Sequence, residues 1–285
     1  MADGSPTVRQ RELGLRLRKL RTGLGLTVED VAEKLMCSTA KISRMETGAR
    51  RPGLRDVRDL CTLYDVNESV AAELMRLTRE AREQGWWTQY EDLNLSPYIG
   101  LEQDASSITA YSMYYMHALV QTEDYARTII RAIAPKIDPE IHQQRVEARL
   151  RRQELLQRSS PPGYRLLIDE AALRRPVGGP KLMAAQVAKL LELSAAGKVR
   201  VQVVPFSVGA YSVADISFTL LEFAEPMLPP VVFVESLVGS LYYERPVDVA
   251  RYRESIEYIR DSALSPRESE QYLAELKKTY AASSA

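Results

Sequence analysis

The first third of the chain carries a repeated helical pattern, and no other feature constrains the fold as strongly. Apolar residues recur every three or four positions through residues 9–24, as they do on the buried face of an amphipathic helix. This stripe consists of Leu13, Leu17, Leu20 and Leu24. Similar stripes follow up to about residue 83, separated by glycines and by residues that favour helix N-caps. The pattern predicts a bundle of five short helices.

The second and third of these helices are predicted to be joined by a tight turn at residues 36–38. Thr27 is a favourable N-cap for the second helix, and Ser38 is a favourable N-cap for the third. Ala32 is small enough to let the two helices cross closely. The pair is therefore predicted to form a helix-turn-helix, with the third helix ending near Thr47.

The stretch LTVEDVAEKLMCSTAKISRMETGARRP resembles the XRE family of phage-repressor type regulators. The residues that fall at the positions of the family pattern are Ala32, Ser38, Ile42, Glu46 and Gly48. One departure is Met36, which occupies a turn position where many members carry glycine. A left-handed backbone would strain a methionine there, so the turn is expected to differ slightly. The resemblance implies that residues 1–83 form a domain that binds double-stranded DNA.

The third helix is expected to enter the major groove with its N-terminal residues at the base edges. By resemblance, the residues that read bases would be Thr39, Ala40 and Arg44. An arginine can make a bidentate contact to guanine, and a methyl group can touch the thymine methyl. Ser38, Lys41 and Ser43 would bind phosphates or flanking bases. Further contacts to the DNA backbone would come from Thr27, Arg50, Arg51 and Arg55. The alternative for each arginine is a solvated surface charge.

Glu46 has a different expected role. In the resembling family the matching glutamate pairs with an arginine of the first helix, which is Arg21 in this chain. The resemblance therefore implies a structural ion pair between Arg21 and Glu46 and no DNA contact by either residue. A single domain of this size buries little DNA, so a homodimer on two half-sites about one helical turn apart is expected.

The charge of the chain is unevenly distributed. Residues 7–60 contain 13 Lys/Arg and 7 Asp/Glu, a net charge of +6, whereas residues 61–285 carry −5 and the whole chain is neutral. A basic segment on an acidic body is compatible with a polyanionic partner. No apolar run approaches a membrane span and no secretory signal is apparent at the N-terminus, so a cytoplasmic, nucleoid-associated protein with two reduced cysteines is expected.

Residues 84–100 contain Trp86, Trp87 and Tyr90 in a polar context. We interpret this segment as an aromatic linker that anchors the next domain; a ligand-stacking site is the alternative. Residues 101–285 then form the second domain. Helices are predicted over 101–117, 122–133, 139–159, 181–196, 248–263 and 266–281.

Alternating or continuous apolar runs predict strands in the same region. They cover 164–169, 199–205, 217–223, 231–236 and 240–244. The predicted fold class is mainly α with α+β: a five-helix XRE-type domain, then an α+β domain of about five strands with packed helices. Runs such as ALVQTEDYARTIIRA and LLIDEAALRRPVGGP resemble the C-terminal domain of actinobacterial XRE regulators described as antitoxin-like, with the organisation of WhiJ-type regulators.

This second resemblance implies a transcription regulator whose C-terminal domain dimerises and is controlled by a small protein encoded nearby. The alternative is a small-molecule sensor, and a further one is an enzyme domain. No nucleophile elbow, P-loop or metal-binding motif is present, and His117 and His142 stand apart from any Cys/Glu cluster at metal-ligand spacing. Asp169 and Glu170 are either an acid pair or the end of a strand with a helix cap. We therefore expect no enzymatic activity, no metal and no cofactor.

Overall fold

The computed structural model describes residues 8–90, 96–211, 216–236 and 239–283. The chain divides into two units. The first unit comprises Met1–Gln89, Leu95–Asp104 and Glu225–Leu228, and the second comprises Tyr90–Asn94, Ala105–Ala224 and Pro229–Ala285. The segment interpreted as an aromatic linker, 84–100, is shared between the units, and its residues 91–95 lie outside the described residues.

The first unit is helical. Its helices are α1 (Val8–Gly23), α2 (Val28–Lys34), α3 (Thr39–Glu46), α4 (Leu54–Leu63), α5 (Glu68–Glu80) and α6 (Ser96–Asp104), with a 3₁₀ turn at Trp86–Gln89 before α6. The apolar stripes of α1 to α5 meet in one core. Its fully buried members include Leu13, Leu17, Val31, Ile42 and Leu60. Burying each of these side chains contributes roughly 1.5–3 kcal/mol, so the stripes hold the bundle together.

The second unit combines helices with a sheet. Its strands are β1 (Ser107–Ser112), β2 (Gly163–Asp169), β3 (Arg200–Val204), β4 (Phe218–Glu222), β5 (Val231–Ser236) and β6 (Gly239–Tyr243). Its helices are α7 (Glu123–Ile133), α8 (Pro139–Arg152), α9 (Glu170–Arg174), α10 (Pro180–Ala195), α11 (Pro246–Ser262) and α12 (Pro266–Ala282). Shorter 3₁₀ turns lie at Ala118–Val120, Gln153–Gln157 and Phe206–Val208. The predicted fold class, mainly α with α+β, is confirmed.

The six strands form one sheet in the order β3-β2-β1-β4-β5-β6. β1, β2 and β3 run parallel, and β4, β5 and β6 continue the sheet by antiparallel pairing. Helix α11 packs on one face, where Ile256 and Ile259 join a core with Leu167, Leu220 and Val232. Because β4 runs antiparallel to β1, the start of β4 lies beside the carboxyl ends of the three parallel strands, at one end of the sheet.

The helix predicted over residues 101–117 is wrong. Helix α6 ends at Asp104, and residues 107–112 form β1, which lies between β2 and β4 in the sheet. Because five of the six residues of β1 are buried, the strand shows no alternation that would distinguish it from a buried helix. With β1 included, the sheet of the described residues has six strands, where about five were expected.

No helix within the described ranges combines the length and the apolar character needed to cross a membrane.

Candidate functional site

Helices α2 and α3 each begin with a side-chain cap. The Thr27 hydroxyl accepts a hydrogen bond from Asp30 N (3.1 Å), and Thr27 N donates to Asp30 Oδ2 (2.7 Å), which completes a capping box at the start of α2. The Ser38 hydroxyl accepts from Lys41 N (3.2 Å) at the start of α3. These local bonds satisfy backbone donors that would otherwise lack partners and define where each helix begins.

The turn between α2 and α3 has the hydrogen bonds of a Schellman motif. Cys37 N donates to Ala32 O (2.9 Å), and Met36 N donates to Glu33 O (3.1 Å). This motif needs one left-handed residue, and Met36 provides it with φ 48°. The turn expected to differ slightly therefore keeps the left-handed geometry, with a methionine in place of the glycine.

Burial of one face of α3 directs the other face outward. Ile42, Met45 and Glu46 are buried in the first unit. The predicted DNA contacts that are exposed are Thr27, Ser38, Thr39, Ala40, Ser43, Arg44, Arg50, Arg51 and Arg55. The Arg44 guanidinium has no carboxylate within ion-pair distance among the described residues. α3 thus presents a polar, cationic face to solvent.

Lys41 differs from the other predicted contacts because it is half-buried and paired. Its Nζ lies 2.6 Å from Asp56 Oδ1, and Asp56 Oδ2 accepts a hydrogen bond from Gly53 N (3.0 Å). Burial opposes ionisation of Asp56, but the hydrogen bonds from Lys41 and Gly53 prevail and lower the pKa of this carboxyl. Lys41 therefore joins α3 to the start of α4, a role that the sequence analysis missed.

Arg21 and Glu46 form a two-point ion pair inside the first unit. Arg21 Nε donates to Glu46 Oε1 (2.6 Å) and Arg21 Nη2 donates to Glu46 Oε2 (2.9 Å), with both side chains almost fully buried. The hydrogen bond to Glu46 raises the pKa of Arg21. These are the two residues that the family resemblance pairs, and they connect α1 with α3.

Two further residues of α1 hold the C-terminal end of α3. A Cβ at Gly14 would lie 2.5 Å from Glu46 O, so only glycine allows this close approach of the two helices. Gln10 Nε2 donates to Gly48 O (2.6 Å), and Gln10 Oε1 accepts from Arg51 Nε (3.3 Å). Neither role was predicted, because neither residue belongs to the apolar stripe of α1.

In the second unit, polar side chains meet at the carboxyl end of the parallel strands. The Tyr211 hydroxyl donates to Asp169 Oδ2 (2.6 Å) and lies 2.7 Å from the Tyr111 hydroxyl. Burial raises the pKa of Tyr111 to about 12, and burial together with Asp169 raises the pKa of Tyr211 still further. Ligands of open α/β sheets bind outside the carboxyl ends of such strands.

Asp169 and Glu170 both act in structural contacts. Asp169 Oδ1 accepts from Ala171 N (2.7 Å) and caps α9, as one of the two sequence interpretations held. Glu170 Oε2 accepts from Phe206 N (2.7 Å), and Glu170 Oε1 accepts from Arg174 Nε. Burial opposes ionisation of Glu170, but these hydrogen bonds lower its pKa, so the group is a carboxylate at neutral pH.

The same end of the sheet exposes an arginine among aromatic side chains. The Arg175 guanidinium lies 5.9 Å from the ring centres of both Tyr114 and Tyr115, within the range of cation–π attraction. Phe206, whose backbone is bound by Glu170, is 57% exposed. We call Tyr114, Tyr115, Arg175 and Phe206 the carboxyl-end surface.

The two histidines have separate surroundings. His117 Nδ1 lies 2.8 Å from the Tyr164 hydroxyl, and the buried His142 has Nε2 2.9 Å from Arg127 O. No group of three or more His, Cys, Asp or Glu side chains within the described parts of the chain could hold a metal ion.

Comparison with known families assigns both units. A family described as "Helix-turn-helix domain" matches residues 12–74, and the family "Domain of unknown function (DUF5753)" matches residues 95–275, more than half of the chain. Neither the curated proteins nor the solved structures give a match. The first unit thus carries an XRE-type helix-turn-helix, the kind of domain with which transcription regulators bind DNA, and the chain belongs to the DUF5753 family.

Proposed function

We propose that this protein is a sequence-specific transcription regulator that reads DNA with α3 and acts as a dimer in the cytoplasm, at the nucleoid. The observation that carries this proposal is the exposed Arg44, without a carboxylate partner among the described residues, on a helix whose inward face is buried. An α-helix fits the major groove, where an arginine makes its commonest specific contact with guanine.

The neighbours of Arg44 complete the proposed contact surface. Ala40 and the methyl of Thr39 are exposed at the leading end of α3, where they would touch thymine methyl groups. The exposed Arg50 and Arg55 would bind phosphates, and Arg51 would do so while keeping its bond to Gln10. Lys41 would reach a phosphate only while shared with Asp56. Lys41 therefore contributes less to DNA affinity than the sequence implied.

The experiment uses an operator selected by the full chain from a random duplex library. Arg44→Ala should weaken binding to this operator by about tenfold to a hundredfold per half-site, because one bidentate base contact is worth roughly 1–3 kcal/mol. Binding to non-specific duplex should change far less. Arg82→Ala, which removes an exposed arginine of the same unit, is the matched control and should leave the footprint intact. An unchanged footprint with Arg44→Ala would show that α3 does not read the operator.

We further propose that the second unit receives its signal from a small partner protein, in the antitoxin-like manner that the resemblance implies. The carboxyl-end surface supports this, since exposed aromatic and arginine side chains are typical of residues that dominate protein–protein binding. Titration calorimetry with any small protein that is encoded beside the gene tests the proposal. Arg175→Glu should abolish the binding heat. No heat with the unaltered chain would favour the small-molecule alternative.

We propose binding and not catalysis for the second unit. Asp169 and Glu170, two carboxylates at the carboxyl end of the parallel strands, are engaged by backbone amides, by Tyr211 and by Arg174. A general acid or base needs a carboxyl group whose proton can move near neutral pH. The lowered pKa of Glu170 argues against such a role.

A further inference from the structure

Part of the connection between β4 and β5 belongs to the first unit. β4 ends at Glu222 and β5 begins at Val231, both in the second unit, whereas Glu225–Leu228 is part of the first unit. The chain thus leaves the second unit and returns to it within residues 223–230, which we call the β4–β5 loop. The ends of both strands are therefore joined covalently to the first unit.

The β4–β5 loop has little conformational freedom. Prolines, which fix the backbone φ, occupy positions 226, 229 and 230. Leu228 N donates to Glu225 O (3.0 Å), and Met227 N donates to Glu225 Oε1 (3.3 Å), so the loop is also closed by its own hydrogen bonds. Leu228 is buried. A loop as stiff as this passes a displacement of a strand end on to Glu225 instead of absorbing it.

Glu225 contacts helix α1 through Arg16. Arg16 Nη2 donates to Glu225 Oε2 (3.4 Å) and lies closer to Glu12 Oε1 (2.6 Å), one turn earlier in α1. Arg16 Nη1 lies 3.7 Å from Glu73 Oε1 of α5. Arg16 thus has three carboxylates within ion-pair distance, and its contact with Glu12 does not depend on Glu225. Because partly exposed pairs contribute little to stability, the Glu225 contact can break without unfolding α1.

Helix α1 also contacts α3, so a shift of α1 reaches the helix proposed to read DNA. Gly14 lies against the backbone of Glu46, and the side chains of Gln10 and Arg21 donate hydrogen bonds to the C-terminal end of α3 and the residues after it. Arg16 lies on the same helix, between these residues. The position of α3 therefore depends on α1, and α1 carries the contact with the loop.

The other end of β4 lies at the carboxyl-end surface. β4 pairs antiparallel with β1, so it begins beside the carboxyl end of β1 and ends beside its start. Directly before β4, the Ser217 hydroxyl accepts a hydrogen bond from Met113 N (3.0 Å). Met113 directly precedes Tyr114 and Tyr115 of the carboxyl-end surface. β4 thus runs from the surface proposed to receive the signal to the loop that contacts α1.

We propose that the β4–β5 loop controls operator affinity. While Glu225 binds Arg16, α1 holds α3 in position for DNA reading, and release of Glu225 weakens DNA binding. A signal at the carboxyl-end surface acts on this contact through Ser217 and β4. Coupling between distant sites requires an element with two discrete arrangements, and a weak ion pair at the end of a stiff loop provides them. The inference rests on the proposed function and adds the route by which the second unit regulates the first.

Fluorescence anisotropy with the labelled operator and the full chain tests the loop contact. Glu225→Lys places a second positive charge beside Arg16 and should weaken operator binding by about fivefold or more, the lower limit of typical coupling between sites. Glu235→Lys is the matched control, because Glu235 is an exposed carboxylate of β5 and the variant makes the same change in net charge. Added positive charge by itself favours DNA binding, so the control should not weaken it. Equal operator affinities for the two variants would overturn the proposal.

Urea unfolding of the same variants separates regulation from loss of structure. Tryptophan fluorescence reports on the first unit, because both tryptophans belong to it. The midpoint of Glu225→Lys should equal that of the unaltered chain, since Arg16 keeps its contact with Glu12. A midpoint that falls together with the operator affinity would show that the variant only destabilises the first unit, and would overturn the proposal.

Ser217→Ala tests the route through β4. It removes the acceptor for Met113 N and should weaken operator binding by roughly twofold or more, which exceeds the usual error of additivity. In the Glu225→Lys chain it should cause no further loss, because the contact on which it acts is already broken. Additive losses, or no loss with Ser217→Ala alone, would contradict the route.

The Arg44→Ala variant distinguishes failure of this inference from failure of the proposed function. If Arg44→Ala abolishes the footprint and Glu225→Lys leaves operator affinity unchanged, the loop has no regulatory role but α3 still reads DNA. If Arg44→Ala leaves the footprint unchanged, the proposed DNA reading by α3 is itself wrong, and the inference fails with it.

Discussion

The Arg21–Glu46 ion pair connects the first helix of the bundle with the helix proposed to read DNA. Both partners are nearly excluded from water, and Arg21 also donates to Leu26 O (2.6 Å). A buried ion pair gains little over an apolar pair of the same shape, but losing one partner leaves the other charge buried without compensation. Loss of either partner should therefore destabilise the contact between α1 and α3.

Glu46→Ala should lower the free energy of unfolding of the first unit by about 3–5 kcal/mol, because it leaves the Arg21 charge buried and unpaired. Urea unfolding of the full chain, followed by tryptophan fluorescence, measures this effect, since both tryptophans, Trp86 and Trp87, belong to the first unit. Arg18→Ala removes an exposed arginine of the same helix and should change the midpoint little. Equal midpoints for the two variants would show that the pair contributes nothing.

At the scale of elements, the turn between α2 and α3 sets the geometry of the helix-turn-helix. Its Schellman bonds require a left-handed residue, and a residue with a Cβ pays about 1–2 kcal/mol for that conformation. Met36 offsets none of this by packing, because its side chain is 94% exposed. The α2–α3 turn is therefore a local weakness in an otherwise well-capped motif.

Met36→Gly should raise the stability of the first unit by about 0.5–1 kcal/mol, since relief of backbone strain exceeds the added freedom of the unfolded chain. Asp65 has the same φ of 48° and is the matched control. Aspartate tolerates the left-handed region better, so Asp65→Gly should give a smaller gain. The urea midpoints of the two variants make the comparison. A loss of stability in Met36→Gly would mean that the methionine side chain stabilises the turn.

At the scale of the whole molecule, the proposed dimer presents two helix-turn-helix domains to DNA. Dimeric helix-turn-helix proteins contact half-sites about one helical turn apart, so the spacing of the half-sites reports the geometry of the dimer. Inserting five base pairs into the selected operator rotates one half-site by roughly half a turn.

The insertion should remove the cooperative part of operator binding by the full chain, because one helix-turn-helix domain can then no longer face its half-site. Gel-shift titration against the original operator measures the loss. Binding by the unaltered chain that does not depend on the spacing would contradict a dimer that holds its two helix-turn-helix domains at a fixed separation.

The sequence by itself determined the helix-turn-helix, because its signals are local. Thr27 and Ser38 cap helices within three residues of themselves, and the apolar stripes repeat within single helices. The same locality made the later strands recognisable, since β2, β3 and β5 alternate or end at clear breaks. The pairing of Arg21 with Glu46 was predicted from the family resemblance, because residue spacing alone does not indicate which charges pair.

Only the tertiary structure decided the features that join distant parts of the chain. β1 is a strand because β2 and β4 supply hydrogen bonds on both of its sides, whereas its own residues are equally suited to a buried helix. Lys41 meets Asp56 across fifteen positions, and Tyr111 meets Tyr211 across one hundred. Periodicity reports which face of an element is buried, but it carries no information on which element lies against that face.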